Sequence, residues 1–498
     1  MVLGTGSDAG KSLTVAALCR ILRQDGFDVA PFKAQNMALN SFATIDGHEI
    51  GRAQAMQAQA AGIEPHMDMN PILLKPTSDV GSQVILNGCM FGNYRGVDYY
   101  ELMPRLLEVV TAAYERLAAR HEIVVLEGAG SPVEMNLKDR DVVNLKMAEI
   151  ANASCMLVAD IDRGGVFASL IGTYSLLEPA ERARFCGFLI NKFRGDLSLF
   201  TDGVEYLERK LGQPCLGVIP YLHNHGIDDE DSVSLERRAV RAPGASGEKL
   251  FVCVVGFPYL ANFTDFTALE QQPDVVVYYT RVAAEARDAD VLILPGSKNT
   301  ISDLLWLKRN GWTEVIERHV AAGKPLLGIC GGFQMLGLEI RDPYRTESDL
   351  EATSGLGLLN ITTSLAREKV TRQASATFYD SEQSPQFNGY EIHLGETELG
   401  EGVRPLFRLQ RNGDDEARCD GATDCDGRVL GTYLHGLFDS ADGVEWLLKH
   451  WCSLLGKHTT STVLDPKAER ERRYDTLADH FRRHMNLDLI YRAIREQR

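Results

Sequence analysis

Short apolar runs punctuate the first half of the chain, and each closes at once on Glu, Asp, Asn or Pro: Ile123-Val-Val-Leu126, Cys155-Met-Leu-Val-Ala159, Gly187-Phe-Leu-Ile190 and Leu216-Gly-Val-Ile219. Continuous runs of this length, without alternation, predict strands buried on both faces of a parallel sheet. Ligands of such open sheets sit beyond the carboxyl ends of the strands, so chemistry is expected at the polar residues that end the runs. Met1-Val-Leu3, a loop and Ser12–Arg23 read as strand, turn and helix. A second series follows at Leu250–Val255, Val275–Tyr278, Val291–Leu294 and Pro325–Ile329, with helix expected over Ile301–Ala322. Between the two series, Arg237–Lys249 carries Arg-Ala-Pro-Gly-Ala-Ser-Gly and reads as a linker. From about Thr459 the chain is charged and helix-prone. The pattern predicts an α/β unit at 1–235, a linker at 236–249, a second α/β unit at 250–455 and a helical segment at 456–498.

The length agrees with this division: 498 residues exceed the ~250–300 at which single cores stop growing. No apolar run approaches the ~18 residues of a membrane helix, and the start lacks a basic region followed by a signal-type core, so the expected location is cytoplasmic. A formal charge of −17 argues against partners such as nucleic acid or an anionic membrane, and requires that any anionic substrate meet a locally basic pocket. The cysteines form no Cys-x-x-Cys pair, which fits reduced thiols rather than a zinc site or disulfide framework. Cys419 and Cys425 fall in the polar stretch Asn412–Arg428, whose Gly and Asp content predicts a disordered loop.

The most specific local chemistry is Gly4-Thr-Gly-Ser-Asp-Ala-Gly10-Lys11-Ser12. Between strand and helix such a loop wraps backbone N–H groups around phosphate oxygens, the lysine reaches the terminal phosphates and the serine can bind magnesium. Thr5, Gly6, Asp8, Gly10, Lys11 and Ser12 are therefore candidate ATP contacts. Thr5 occupies the usual first glycine position, a variant that resembles the loop of dethiobiotin synthetase and its relatives. Only three residues precede Gly4, so the first strand is expected to be clipped. Glu127, ending the Ile123–Leu126 strand, is placed to join Ser12 as a magnesium ligand, and Asn191 ends another strand where its amide could read the nucleotide base.

Cys330 follows the apolar run Leu326–Ile329 and precedes Gly331-Gly-Phe-Gln-Met-Leu-Gly337, the strand–turn–helix of a nucleophile elbow. Thiolate attack on an amide carbonyl needs oxyanion donors, for which the N–H groups of Gly331 and of Gly296 in Pro295-Gly-Ser-Lys-Asn299 are candidates. The helix N-terminus favours the thiolate. His435, ending Gly431-Thr-Tyr-Leu-His435, is the candidate base. This half resembles the class I glutamine amidotransferases, whose pattern puts a glutamate two residues after the histidine. Leu437 stands there instead, leaving a dyad, or orientation of His435 by another carboxylate or a carbonyl.

That departure is shared by the cobyric and cobyrinic acid amidotransferases, which the chain resembles over nearly its whole length. The blocks that carry the likeness are Pro31-Phe-Lys33-Ala-Gln35-Asn36-Met-Ala-Leu-Asn40-Ser41, Glu49-Ile-Gly51-Arg52-Ala-Gln54, Asn70-Pro-Ile-Leu-Leu-Lys75-Pro76-Thr77-Ser78-Asp79, Asp160-Ile-Asp162-Arg163-Gly164-Gly165-Val-Phe167, Asn191-Lys-Phe-Arg194-Gly-Asp196 and Gly389-Tyr390-Glu391-Ile392-His393. The resemblance implies a dethiobiotin-synthetase-like P-loop domain with a mostly parallel sheet, followed by a class I amidotransferase-like α/β domain. It implies amidation of the b, d, e and g carboxylates of adenosylcobyrinic acid a,c-diamide, with ATP, Mg2+ and glutamine consumed through an acyl phosphate and a thioester. Lys33, Gln35, Asn36, Asn40, Arg52, Lys75 and Arg163 are the residues expected at the corrinoid or the phosphates, since an acidic protein must attract a polyanion locally. Two other readings stand beside it. The sister enzymes that amidate the a and c carboxylates carry a loop resembling Lys-x-Gly-Pro-Asp where this chain has Lys33-Ala-Gln35-Asn36-Met37. A P-loop switch ATPase would carry an extra lysine near its first glycines, and none precedes Lys11.

Overall fold

The computed structural model describes residues 1–78, 81–223, 225–227, 249–380, 385–458 and 461–496. The expected linker, apart from Lys249, and the onset of the terminal segment near Thr459 lie outside the described residues.

Each apolar run of the first half forms a strand. Val2–Gly4, Cys155–Asp160, Phe185–Phe193 and Cys215–Pro220 make one parallel sheet. A parallel pair, Val29–Phe32 with Ile123–Leu126, joins it through the Val2–Glu127 bridge. Helices cover both faces, which is why these strands read as unbroken apolar runs. The helix Lys11–Gln24 contributes Val15, Ala16, Cys19 and Ile21 to one core, shared with Leu189, Leu216 and the C-terminal Tyr474, Leu477 and Phe481. The terminal helices Pro466–His484 and Leu487–Arg495 thus return to the first lobe. Arg20 clamps the first of them there, pairing with Glu471 and Asp475 at 2.8 Å each.

The second lobe repeats the plan. Val275–Thr280, Leu250–Val255, Val291–Leu294, Leu326–Ile329 and Val429–Thr432 run parallel. The helix expected over Ile301–Ala322 is two, Thr300–Arg309 and Trp312–Ala321, because Gly311 between them takes a left-handed φ of +75°. A further sheet is built on the long antiparallel pair Ile361–Phe378 and Phe387–Leu399. The loop expected over Asn412–Arg428 is corrected here: Arg418–Asp420 pairs with Phe407–Arg411, and Ala422–Thr423 pairs with Val429–Thr432. Its polar residues follow from an edge position, where only one side of the strand is packed.

Between the lobes stands a small meander that the apolar pattern does not announce: Gln35–Met37, Ile72–Ser78, Gly81–Leu86 and Cys89–Arg95. Reciprocal asparagine bonds fasten the lobes beside it. Ser41 N–H donates to Asn262 Oδ1 at 2.9 Å and Phe263 N–H to Asn40 Oδ1 at 3.3 Å. Gln373 Nε2 adds a bond to Ala43 O at 3.1 Å.

Candidate active sites

The loop after the first strand is closed on itself. Lys11 Nζ donates to the carbonyls of Gly6 at 2.9 Å and Gly130 at 3.2 Å. Gly10 takes φ +99°, and a side chain there would run into Asn191 Nδ2. That amide donates to Ala9 O at 3.0 Å, so Asn191 braces the loop from beneath. Asp8, at φ +58°, pairs its carboxylate with Arg163 at 2.6 Å. Thr5 N–H is committed to Val158 O at 2.9 Å.

Beyond the loop, buried Glu127 gathers three donors: Ser12 Oγ at 2.8 Å and Lys33 Nζ at 2.9 Å on Oε1, and Gln57 Nε2 at 2.5 Å on Oε2. A hydroxyl and a carboxylate oxygen in contact beside a phosphate cradle are the hard donors magnesium takes, with waters and phosphate oxygens filling its other positions. Ser12 and Glu127 therefore fit the ion.

The second centre lies in the other lobe and is almost wholly buried. Cys330 joins the strand Leu326–Ile329 to the helix Gly331–Met335 with φ +52° and ψ −108°, a conformation costly for a residue with a Cβ. The turn is pinned by Cys330 N–H to Thr432 O at 2.8 Å and Gly332 N–H to Pro295 O at 3.1 Å. Gly332 is required there, since a Cβ would strike the Leu294 carbonyl. The N–H groups of Gly331 and Gly296 donate to no backbone carbonyl among the described residues, which leaves them available to an oxyanion.

His435 Nδ1 bonds Asp265 Oδ2 at 2.7 Å, and Asp265 Oδ1 accepts the Gly436 N–H at 3.3 Å. The imidazole stacks on Tyr390, centroids 5.3 Å apart, and shares the cavity with Cys330, whose Sγ donates to the Ile392 carbonyl at 3.6 Å. Burial opposes the charged ring, yet Asp265 and Cys330 more than offset it and push His435 up to about 10. Asp265 thus takes the place left open by Leu437. It sits on the turn Phe263–Phe266, 170 residues before the histidine, so no spacing in the sequence connects them. In the sequence Asp265 stands out only as part of Asn262-Phe-Thr-Asp265, several residues beyond the strand Leu250–Val255.

The cavity at Cys330 is walled by both lobes. Gly296, Lys298, Glu347 and His435 line it from the second, Lys75 and Gln83 from the first. Lys75 Nζ holds Ser41 Oγ at 2.9 Å and Glu49 Oε1 at 2.7 Å, while Lys369 takes Glu49 Oε2 at 2.6 Å. Burial alone would raise Glu49, but the two ammonium groups hold it well below the usual carboxylate range. Burial brings Lys75 down to about 8 against the pull of Glu49.

The residues expected at a corrinoid are thus dispersed. Lys33 belongs to the phosphate centre, Lys75 to the thiol cavity, and Arg163 to the outer rim of the P-loop. Asn36 is buried on Gln54 at 2.9 Å, Asn40 ties the lobes, and buried Arg52 lies over Phe42 at 5.5 Å. Of the seven, only Gln35 lines the larger cavity beside the P-loop, about 570 Å³ in volume. That cavity's aromatic wall at Tyr94, Tyr99 and Tyr100 escaped the sequence reading because the tyrosines lie in an irregular polar stretch.

A phosphate cradle in one parallel sheet, and a Cys–His–Asp constellation at the strand ends of another, define a two-lobed glutamine amidotransferase. Residues 1–231 match the CobQ/CobB/MinD/ParA nucleotide binding domain and residues 251–443 the CobB/CobQ-like glutamine amidotransferase domain. A cobyric acid synthase of Syntrophobacter fumaroxidans is 49% identical over 99% of this chain and 98% of its own. Those of Phocaeicola vulgatus and Klebsiella pneumoniae are 48% identical over 99% and 100% of this chain, and 98% of theirs. The chain belongs to the cobyric acid synthase family: it is a glutamine-hydrolysing, ATP-using ligase that forms amides in cobalamin biosynthesis. No helix among the described residues is long and apolar enough to cross a membrane.

Proposed function

We propose that the enzyme amidates the b, d, e and g carboxylates of adenosylcobyrinic acid a,c-diamide to give adenosylcobyric acid, one ATP and one glutamine per amide. The names of the relatives supply the corrinoid. The observation that carries the mechanism is the pairing on one chain of the Lys11–Ser12–Glu127 cluster with the Cys330–His435–Asp265 constellation.

At the first centre Lys11 exchanges its carbonyl partners for the β- and γ-phosphate oxygens, and the loop amides after Thr5, up to Ser12, hold the anion. Ser12 and Glu127 would hold magnesium, which when bound supplies charge neutralisation on the phosphates. An acceptor carboxylate oxygen attacks the γ-phosphorus, ADP leaves, and the acyl phosphate so formed is electrophilic enough for ammonia. Lys33 stabilises the charge that moves between the groups from its seat on Glu127.

At the second centre His435 already holds the proton, and Cys330 sulfur adds as thiolate to the γ-amide carbon of glutamine. Gly331 and Gly296 N–H hold the oxyanion. His435 gives its proton to the departing ammonia, leaving a thioester, which water hydrolyses to glutamate with His435 taking and giving the proton. Asp265 fixes the ring and stabilises the imidazolium. Ammonia attacks the acyl phosphate carbon, and phosphate leaves. The division at 1–235, 236–249, 250–455 and 456–498 follows this labour, the last segment serving the first lobe.

Mass spectrometry of the corrinoid incubated with ATP, Mg2+ and glutamine tests the proposal. Four successive acid-to-amide conversions are expected. Conversion stopping at two amides on cobyrinic acid itself would favour the sister reaction, and ATP turnover indifferent to glutamine and corrinoid would favour a switch.

A further inference from the structure

The reaction needs a place where a large, flat acceptor can bring a carboxylate to the γ-phosphate. We propose that the corrinoid binds in the cavity beside the P-loop, between the meander strands and the loop 129–144, with its ring against Tyr94 and Tyr100. This placement rests on the function proposed above.

Three observations support it. The cavity adjoins the phosphate centre: Ala129 and Gly130 line it, and the Gly130 carbonyl receives Lys11 Nζ at 3.2 Å. An acid held there is next to the group that must phosphorylate it. The loop is stiffened for the purpose, since Asn144 accepts the Ala129 N–H at 3.0 Å and donates to the Ala129 carbonyl at 2.9 Å.

The lining suits the ligand. At about 570 Å³ the cavity is in the range of small-molecule sites. Tyrosine rings offer flat apolar faces to a macrocycle, and Tyr99 hydroxyl donates to Gln35 Oε1 at 2.6 Å, leaving the Gln35 amide to meet peripheral groups. Arg140 lies over the Tyr100 ring at 4.5 Å and forms no ion pair among the described residues, so a cation stands at the rim of an acidic protein where carboxylates must enter.

The third observation concerns the ammonia supply. Across the hairpin of Ile72–Ser78 and Gly81–Leu86, Leu74 pairs with Val84, Lys75 with Gln83 and Pro76 with Ser82. Successive side chains of a strand point to opposite faces. Leu74, Val84, Pro76 and Ser82 line the proposed corrinoid cavity, whereas Lys75 and Gln83 line the cavity of Cys330. The two reaction centres therefore stand back to back across one hairpin. Gln83 Oε1 is buried without a hydrogen-bond partner on the thiol side.

The test is titration of the full-length enzyme with cobyrinic acid a,c-diamide, followed by its visible absorption and by amide hydrogen exchange. Wild-type enzyme is expected to bind, with protection concentrated in 81–95 and 129–144. Tyr94→Ala and Ser82→Trp should each raise Kd at least about tenfold, and Tyr94→Phe should restore it because the ring, not the hydroxyl, makes the contact. Exchange on the wild-type chain stays informative if a variant fails to fold. Protection confined to other segments, or wild-type affinity in folded Tyr94→Ala and Ser82→Trp, overturns the placement and leaves the proposed reaction standing. A wild-type enzyme that binds no corrinoid overturns the reaction and the placement together.

Discussion

The two centres of this molecule are prepared in opposite ways. Around Cys330 the geometry is fixed before substrate arrives: a strained elbow, an imidazole held between Asp265 and Tyr390, and two glycine N–H groups without carbonyl partners among the described residues. Around Lys11 the charged groups are occupied with one another, Lys11 with two carbonyls and Lys33, Ser12 and Gln57 with Glu127. The difference follows from the chemistry. A neutral amide brings little charge, so its site must already hold the dipoles that receive the developing oxyanion. A nucleotide triphosphate brings its own charge and can exchange internal partners for stronger ionic ones.

The comparison breaks most sharply at Cys330. Cys330→Ala should lower glutamate release at least ~10⁴-fold, while ammonium salt should still support amidation; loss of both would show that the centres are not separable. Asp265→Asn comes next, with glutaminase kcat down about 10²- to 10⁴-fold. Because the imidazole is raised to about 10, the wild-type activity that needs His435 protonated should fall as pH climbs through about 10, and in Asp265→Asn this alkaline limb should move to lower pH. An unmoved limb would remove Asp265 from the constellation. The same raised value means that protonated His435 adds stability in full below ~6.5, and that this is lost as pH rises through about 10.

Lys75→Met probes the partition between the centres. It removes one of two cations from buried Glu49, and a loss of about 3 kcal/mol in urea unfolding is expected, the low end for a broken buried pair because Lys369 remains. Glu49 itself, held low, stabilises the fold above its unfolded pKa of ~4.3 and should lose that contribution as pH falls toward its folded value. The smallest effect should come at the phosphate centre: Glu127→Gln should weaken the magnesium dependence of ATP turnover on the order of 10- to 100-fold. Unchanged magnesium titration would take Glu127 out of the ion's site and leave it as the anchor of Lys33.

The sequence by itself determined what is local. Apolar runs became the strands Ile123–Leu126, Leu250–Val255 and Val291–Leu294 with the bounds the pattern drew, because a strand covered on both faces needs apolar side chains at every position. The cradle and the elbow were legible for the same reason: a turn of few residues fixes its own glycines, lysine and cysteine. What only the tertiary structure decided is every partnership made across distance. Asp265 reaches His435 over 170 residues, Lys75 leaves the first lobe to face the thiol, and the meander parts two cavities by alternation alone. The apolar stretches of its strands, Ile72-Leu-Leu74 and Val84-Ile-Leu86, are buried in hydrophobic clusters but are only three residues long, too short for the pattern to announce a strand. Which face a side chain takes depends on the register of a pairing that no stretch of sequence specifies alone.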